Sequence, residues 1–374
     1  MSMRLYDTAR RSVVAFEPGP VVTMYTCGVT PYDTTHIGHA ACFVTYDLVQ
    51  RRLRDLGHET RCVRNVTDVD DSILAKARQL GIHYLDLAAA EVKKFDTDME
   101  ALGQLPSYSE PRATSAIADI LGFIAMVLDT GHAYESGGSV YFDVSSFPKF
   151  GQLSGYSREQ MLEYAAERGG NVEDPNKRDP LDFVLWHPSL PDEPSWESLW
   201  GAGRPGWHIE CSALCMRELG TTTIDLHGGG EDLIFPHHES EAAQSEAATG
   251  EPLARHWMHQ AYVRMDGVKM SKSLGNLRYV SALIAEGWDP MVIRLVIVSH
   301  HYRDGWEWFD SLLDEGAARL ARWRAAGVGD AALAEVRVAL DNDLDMPAAV
   351  AAIDAAATRG EGVSTAAALL GIVL

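Results

Sequence analysis

Apolar residues fall first into a short run, then a helical stripe, then a second run. Val21 to Thr26 (VVTMYT) is ended by Cys27-Gly28 and predicts a buried strand. From about Gly38 to Leu56, Ala41, Val44, Leu48, Val49, Leu53 and Leu56 recur at helical spacing, with Gly57 as a stop. Glu59 to Val66 predicts a second strand. Strand, loop, helix, strand is the βαβ unit of a doubly wound α/β sheet, in which ligands sit at the carboxyl ends of the strands. That rule sets Cys27 to His39 and Thr67 to Asp71 on one rim.

Helical patterns follow at Tyr84 to Leu102 and Thr114 to Thr130, and His132 to Phe147 alternates around Gly137-Gly138 as a hairpin does. The stretch to about Pro191 is irregular, polar and dotted with Pro and Gly, which predicts an insertion in the sheet fold. Thr223 to His227 (TIDLH), ended by Gly228-Gly229-Gly230, predicts the return to the sheet, then a helix from about His237 to Ala248. A strand over Trp257 to Arg264 meets a tight turn at Asp266-Gly267, from which Lys269 to Ser273 departs. Beyond Tyr279 the pattern is helical. The alanine-rich stretch from Ser311 keeps Leu312, Leu320, Trp323, Leu333, Val338 and Ile353, enough to pack a small helical module.

The 374 residues are 46% apolar and 23% charged, the composition of an enzyme-sized globular protein. Neither a leader-like apolar stretch near Met1 nor a membrane-length apolar run occurs, so a cytoplasmic protein without a membrane partner is expected; oligomeric state is left open, a monomer being the favoured reading. Five cysteines at irregular spacings (Cys27, Cys42, Cys62, Cys211, Cys215) argue for reduced thiols or metal ligands rather than disulfides. A formal charge of −21 repels phosphate backbones and counts against a large RNA partner.

Two signatures carry the chemistry. His36-Ile37-Gly38-His39 opens the first helix, where free amides, a close-approach glycine and two imidazoles suit phosphate oxygens. Lys269-Met270-Ser271-Lys272-Ser273 supplies two cations on a loop able to close over pyrophosphate. Together they point to ATP-dependent formation of an acyl-adenylate, with His36, His39, Lys269 and Lys272 as the catalytic donors. Cys27, Cys211, His237 and Glu241 are the second constellation: His237 and Glu241 share a helical face, and two thiolates, an imidazole and a carboxylate complete a tetrahedral zinc shell. Buried free thiols beside a solvated helix remain the other reading. A zinc at this rim would favour a thiol substrate, making cysteine the inferred amino acid. Thr67 is a candidate for holding that amino acid and Trp207 for a pocket wall or a structural position. Asp68, Asp70 and Asp71 are read as capping or solvated residues ahead of a cation site, and His227 as a strand residue beside the glycines.

The chain resembles cysteinyl-tRNA synthetases, and more specifically the mycothiol cysteine ligases. The resemblance is carried by Cys27-Gly28, His36 to His39, Arg64 to Asp71 (RNVTDVDD), Gly206 to Cys211, Gly228 to His238 and Lys269 to Asn276. It implies a class I aminoacyl-tRNA-synthetase-like Rossmann (HUP) catalytic domain over 1–118 and 188–264 and a connective insertion over 119–187. A stem-contact region with the lysine loop then spans 265–310, and a C-terminal helical module 311–374. It further implies zinc on Cys27, Cys211 and His237, and cysteine held by Thr30, Thr67, Trp207 and Asp232, the last meeting the substrate ammonium. The nucleotide and cysteine contacts expected in all are Gly28, Thr30, His36, Gly38, His39, Thr67, Trp207, Gly229, Asp232, Lys269, Met270, Ser271 and Lys272, with Mg2+ accompanying ATP.

Val29 to His36 (VTPYDTTH) is similar to the small-molecule ligases, and the chain stops about 100 residues after Ser273, where a tRNA-reading region is expected in the synthetases. Both favour an amino-sugar acceptor, glucosaminyl-inositol, over tRNA. Glu241 departs from the ligase pattern and matches the synthetases' carboxylate ligand. A truncated cysteine-tRNA ligase, a paralogue using another amine, and an idle regulatory module are the alternatives; the intact histidines and lysines argue against the last.

Overall fold

In the computed structural model, which describes residues 3–32, 35–270 and 274–374, the strand Val21–Val29 lies inside a four-stranded parallel sheet. Glu59–Val66 flanks it on one side; Leu226–Gly230 and then Trp257–Gln260 lie on the other. The helix Ile37–Asp55 makes the first crossover. Chain order turns from one side to the other at Val21–Val29, so the crevice at the carboxyl ends of Val21–Val29 and Leu226–Gly230 is the place where such sheets bind ligands.

The return strand begins later than the TIDLH pattern predicts and takes the three glycines into the ladder. Asp225 is the reason for the late start, because its carboxylate accepts from the Thr23 amide and hydroxyl, both at 2.9 Å, in place of a strand partner. Tyr46 of the crossover helix explains the glycines. Its hydroxyl accepts from the Gly229 amide at 2.6 Å and lies 2.7 Å from the Met258 carbonyl oxygen. A Cβ at Gly228 would stand 2.2 Å from the Tyr46 ring. Any larger residue there would push the helix off the sheet.

The predicted strand over Trp257 to Arg264 is two strands. Trp257–Gln260 ends the parallel sheet, and Val263–Met265 pairs instead with Val268–Lys269 and Trp306–Glu307. The stretch predicted to be irregular is also more ordered than its composition suggests. It holds a helix, Arg158–Glu167, and the strand Phe183–Pro188. That strand joins the hairpin Ala133–Ser136 and Ser139–Phe142 and the short strand Gly203–Pro205 in an antiparallel sheet. Arg158–Glu167 buries only Met161 and Ala165, too few to give a stripe, but its capping box of Ser157 and Gln160 was a local signal. A further helix, Asp71–Leu80, fills the stretch after the second strand, with Asp70 as N-cap and Gly81 as left-handed C-cap.

After the lysine loop come helices Val280–Ala285, Pro290–Val298, Ser311–Ala326, Leu333–Asp341, Met346–Thr358 and Ser364–Leu369. Every residue of Pro290–Val298 after its proline is buried. This helix is bolted to the crossover helix by an ion pair between Arg294 and Asp47, neither of them exposed. Arg294 also donates to the Leu370 and Leu102 carbonyl oxygens at 2.8 and 2.9 Å. Asp47 accepts from Arg51 and from the Leu105 amide, both at 2.7 Å. Burial opposes the Asp47 charge, but Arg294 and Arg51 outweigh it and hold the carboxyl below its ordinary value. Among the described residues no helix is long and apolar enough to cross a membrane.

Removing one partner of such a pair strands the other charge in the interior. Asp47→Ala is therefore expected to lower the unfolding free energy by about 3–5 kcal/mol in a denaturant titration; a loss under about 1 kcal/mol would place the pair among weak surface bridges.

Candidate active site and metal centre

Four elements deliver one donor each to a buried point at the sheet rim. Cys27 comes from the end of Val21–Val29 and Cys211 from the helix Trp207–Leu219. His237 lies in the turn Ile234–His238, where extended Phe235 breaks the helix, and Glu241 in the helix Glu239–Thr249. The ligand atoms of Cys27, Cys211, His237 and Glu241 all lie within 4.8 Å of one another. Cys27 Sγ is 4.0 Å from Cys211 Sγ and 3.3 Å from Glu241 Oε1, and His237 Nε2 is 3.0 Å from the same oxygen. Two sulfurs, a nitrogen and an oxygen, buried and converging, are the donor chemistry of a structural or catalytic metal ion.

The four donors set one another's protonation. The hydrogen bond from Cys27 holds the Cys211 thiol down at about 6, while burial pushes Cys27 up. Burial disfavours charge on Glu241 and His237, but His227 and His237 keep the Glu241 carboxyl far below the carboxylate range. In turn Glu241 and Cys211 raise His237 to about 10.

A second ring of side chains orients these donors, and sequence reasoning missed most of it. His237 Nδ1 is 2.9 Å from His208 Nδ1, His227 Nε2 is 3.0 Å from Glu241 Oε2, and His238 Nε2 is 3.3 Å from Cys27 Sγ. Metal-ligating side chains are commonly held by such partners. Cys27, His227, His238 and Glu241 form an overlapping convergent set. The set with two thiols is the better metal site, because paired thiolates suit a soft or borderline ion and His227 and His238 then serve as hydrogen-bond partners. His227, predicted to be merely a strand residue, thus grips the central carboxylate. Trp207 lies against the His237 ring at 4.2 Å between centroids and is only partly buried, so it walls the site. Cys42, Cys62 and Cys215 are buried elsewhere in the packing.

Of the other expected residues, several stand beside the carboxyl ends of the parallel strands. Gly28 donates to Asn65 Oδ1 at 2.8 Å, and a Cβ there would overlap the Asn65 carbonyl oxygen. Asn65 Nδ2 donates to Thr67 Oγ1 at 3.1 Å, while Thr30 is partly exposed on the loop after the first strand. His36 caps the crossover helix by accepting at Nδ1 from the Gly38 and His39 amides at 3.1 and 3.4 Å. In the neutral ring the proton is then on Nε2, a donor to an anion. The His39 ring stacks on His36 at 3.8 Å. Backbone bonds from Ile37 to Arg278 and from Val280 to Thr35, at 2.8 and 3.1 Å, tie this signature to the segment just beyond the lysine loop. Lys269 Nζ is 3.0 Å from Asp232 Oδ2 and 4.1 Å from the centre of the Tyr262 ring. Asp232, expected to meet a substrate ammonium, is thus already paired with a cation. Met270 is buried in the core, an anchor rather than a presented contact, and Gly229 has its amide taken by Tyr46. Ser271, Lys272 and Ser273 lie outside the described residues.

The acidic turn is structural, as its capping reading expects. Asp68 accepts from the Thr114 amide and hydroxyl at 2.9 and 2.7 Å, Asp70 caps Asp71–Leu80 through the Ile73 amide at 2.9 Å, and Asp71 pairs with Arg204. Arg168, the C-cap of the helix that the sequence did not reveal, donates to the carbonyl oxygens of Asp232 and Phe235 and so steadies the turn that carries His237.

Comparison with known proteins agrees with this geometry. Residues 14–318 match the family described as tRNA synthetases class I (C) catalytic domain. The chain is 49% identical to the L-cysteine:1D-myo-inositol 2-amino-2-deoxy-alpha-D-glucopyranoside ligase of Nocardiopsis dassonvillei over 94% of this chain and 88% of that protein. It is 48% identical to the ligase of the same name from Mycolicibacterium smegmatis, over 94% and 88%. Among solved structures, Mycobacterium tuberculosis methionyl-tRNA synthetase with methionyl-adenylate superposes with a TM-score of 0.67 at 16% identity, covering 94% of this chain and 87% of that one. A Campylobacter jejuni chain described as a putative arginyl-tRNA synthetase gives 0.58 at 12%, covering 94% and 93%. These two likenesses show the fold.

Burial raises the Asp70 carboxyl to about 6, with Asp71 adding to the effect. A group so raised favours the folded state when protonated, and that contribution is lost as pH climbs from its unfolded value near 4 through 6. Asn caps a helix as well as Asp. Asp70→Asn is therefore expected to stabilise the protein by about 2 kcal/mol at pH 7–8, fading to nothing near pH 4; thermal melts across that range check it, and a gain that does not vary with pH would refute it.

Proposed function

Because the chain belongs to the class I (C) tRNA synthetase catalytic-domain family and, within it, to the L-cysteine:1D-myo-inositol 2-amino-2-deoxy-alpha-D-glucopyranoside ligases, we propose an ATP-dependent, AMP-forming cysteine ligase of mycothiol synthesis. Its two steps are activation of L-cysteine as cysteinyl-adenylate and transfer of the cysteinyl group to the amine of glucosaminyl-inositol. The observation that carries this reading is the meeting of Cys27, Cys211, His237 and Glu241 on the rim that also holds His36, His39 and Lys269.

In the first step a cysteine carboxylate oxygen attacks the α-phosphorus of Mg2+-bound ATP and the bond to pyrophosphate breaks. Charge grows on the phosphate oxygens, where His36 and His39 donate and the Lys269 and Lys272 ammonium groups approach. Asp232 exchanges its Lys269 partner for the substrate ammonium, which frees Lys269 for the phosphates; Thr67 and Thr30 position the substrate backbone, and Trp207 closes one wall. Cys27, Cys211, His237 and Glu241 would hold a zinc ion, which would supply a Lewis acid that prefers a thiolate to a hydroxyl and so would separate cysteine from serine. In the second step the acceptor amine attacks the carbonyl carbon, the bond to AMP breaks, and the amine proton leaves as the amide forms. A small acceptor also suits a chain of formal charge −21, which repels a tRNA backbone.

Cysteine-dependent ATP–pyrophosphate exchange tests the first step, and product analysis with glucosaminyl-inositol or tRNA tests the second. The expected outcome is exchange with cysteine and an amide only with the amino sugar. Absence of exchange in zinc-replete protein sinks the adenylation, while aminoacylated tRNA without amide selects the synthetase. Cys211→Ser is expected to lose the bound metal and to cut cysteine-dependent exchange more than about a hundredfold; metal analysis beside the exchange assay checks this, and full metal occupancy at wild-type rate would remove Cys211 from the centre.

A further inference from the structure

A series of three hydrogen bonds runs from Thr8, between the paired strands Arg4–Asp7 and Ser12–Ala15, to Cys27, and none of the steps above uses it. Cys27 Sγ lies 3.3 Å from His238 Nε2, His238 Nδ1 lies 2.7 Å from His259 Nε2, and His259 Nδ1 lies 2.7 Å from Thr8 Oγ1. Cys27, His238 and His259 are buried; Thr8 alone is partly exposed. Thr8 follows the strand Arg4–Asp7, and its amide donates to the Trp257 carbonyl oxygen at 2.9 Å, in the strand that carries His259. The hydroxyl is therefore held in place by backbone pairing.

A neutral imidazole donates at one nitrogen and accepts at the other. Three bonds in series through two such rings have two consistent settings, all donating toward Cys27 or all away from it. A sulfur ligated to a metal as thiolate has no proton and only accepts. That condition selects the first setting: His238 donates from Nε2 and accepts at Nδ1, His259 does the same, and the Thr8 hydroxyl is the donor that begins the series.

We propose that Thr8 and His259 are positioning residues of the metal centre, setting the His238 tautomer so that an N–H rather than a lone pair faces the Cys27 sulfur. This rests on the metal reading under the proposed function and extends it to a residue 19 positions before Cys27 in the chain. Without the Thr8 hydroxyl, His259 Nδ1 loses its donor. The reversed setting then becomes accessible, and it turns the His238 lone pair toward the thiolate. Hydrogen bonds to a ligating sulfur weaken its charge donation to the metal and hold its direction, so losing one changes both affinity and spectrum.

The test compares wild type with Thr8→Val, which keeps the shape and removes the donor, Thr8→Ser, which keeps the donor, and His259→Phe, which removes both ring nitrogens. Zinc affinity is read by competition with a chromophoric chelator, and the cobalt-substituted proteins are read by their thiolate-to-cobalt charge-transfer band. Thr8→Val and His259→Phe are expected to weaken zinc binding about tenfold and to shift the band, with Thr8→Ser within about twofold of wild type and its band unmoved. Wild-type affinity and band position in both Thr8→Val and His259→Phe overturn the relay, and equal losses in Thr8→Val and Thr8→Ser overturn the role of the hydroxyl. A wild-type protein that takes up neither zinc nor cobalt overturns the metal reading beneath it.

Discussion

The site is organised around a carboxylate that has no contact with water. Glu241 is completely buried, with His227 on one oxygen and His237 and Cys27 on the other. An isolated charge in that position would be too costly to keep. It persists because its partners come from the turn preceding its own helix and from two strands of the parallel sheet. Assembly of the sheet rim and neutralisation of this charge are therefore one event, and a cation at the same point completes the set.

The crossover helix transmits that arrangement to the rest of the chain. His36 caps its first turn, Tyr46 reaches the glycine strand, and Asp47, one residue on, faces the C-terminal helices through Arg294. Successive residues on a helix point about a quarter-turn apart, so neighbours serve different layers. The segment His36 to His39, the strand Leu226–Gly230 and the C-terminal helices thus share one rigid rod. The segment just beyond the lysine loop is linked to the same rod by the bonds between Thr35 and Val280 and between Ile37 and Arg278.

Periodicity made the central βαβ unit, the helix Tyr84–Ala101 and the first insertion hairpin legible, since each carries enough apolar positions to show its period. Asp71–Leu80 and Arg158–Glu167 were not, because each is a short helix with few buried positions whose evidence lay in its caps. Phe183–Pro188 hid among prolines and acids because its order comes from pairing on both sides. At the site, Cys27, Cys211, His237 and Glu241 stood out by residue type and by the four-residue spacing of the last two. His227, His238 and His259 gave no such signal: their meeting depends on the alignment of Leu226–Gly230 with Trp257–Gln260 and on the break at Phe235.

Sequence alone determined the inventory: the thiols, imidazoles, lysines and glycines that adenylate chemistry can use, and the local elements that present them. Those are properties of neighbouring residues, set by side-chain chemistry and backbone period. Tertiary structure alone decided which donors meet: Cys27 with Glu241 across 214 positions, Thr8 with His259 across 251, and Lys269 with the very carboxylate expected to greet the substrate. The physical reason is that strand register and the burial of charge act between segments remote in the chain, where no local pattern records them.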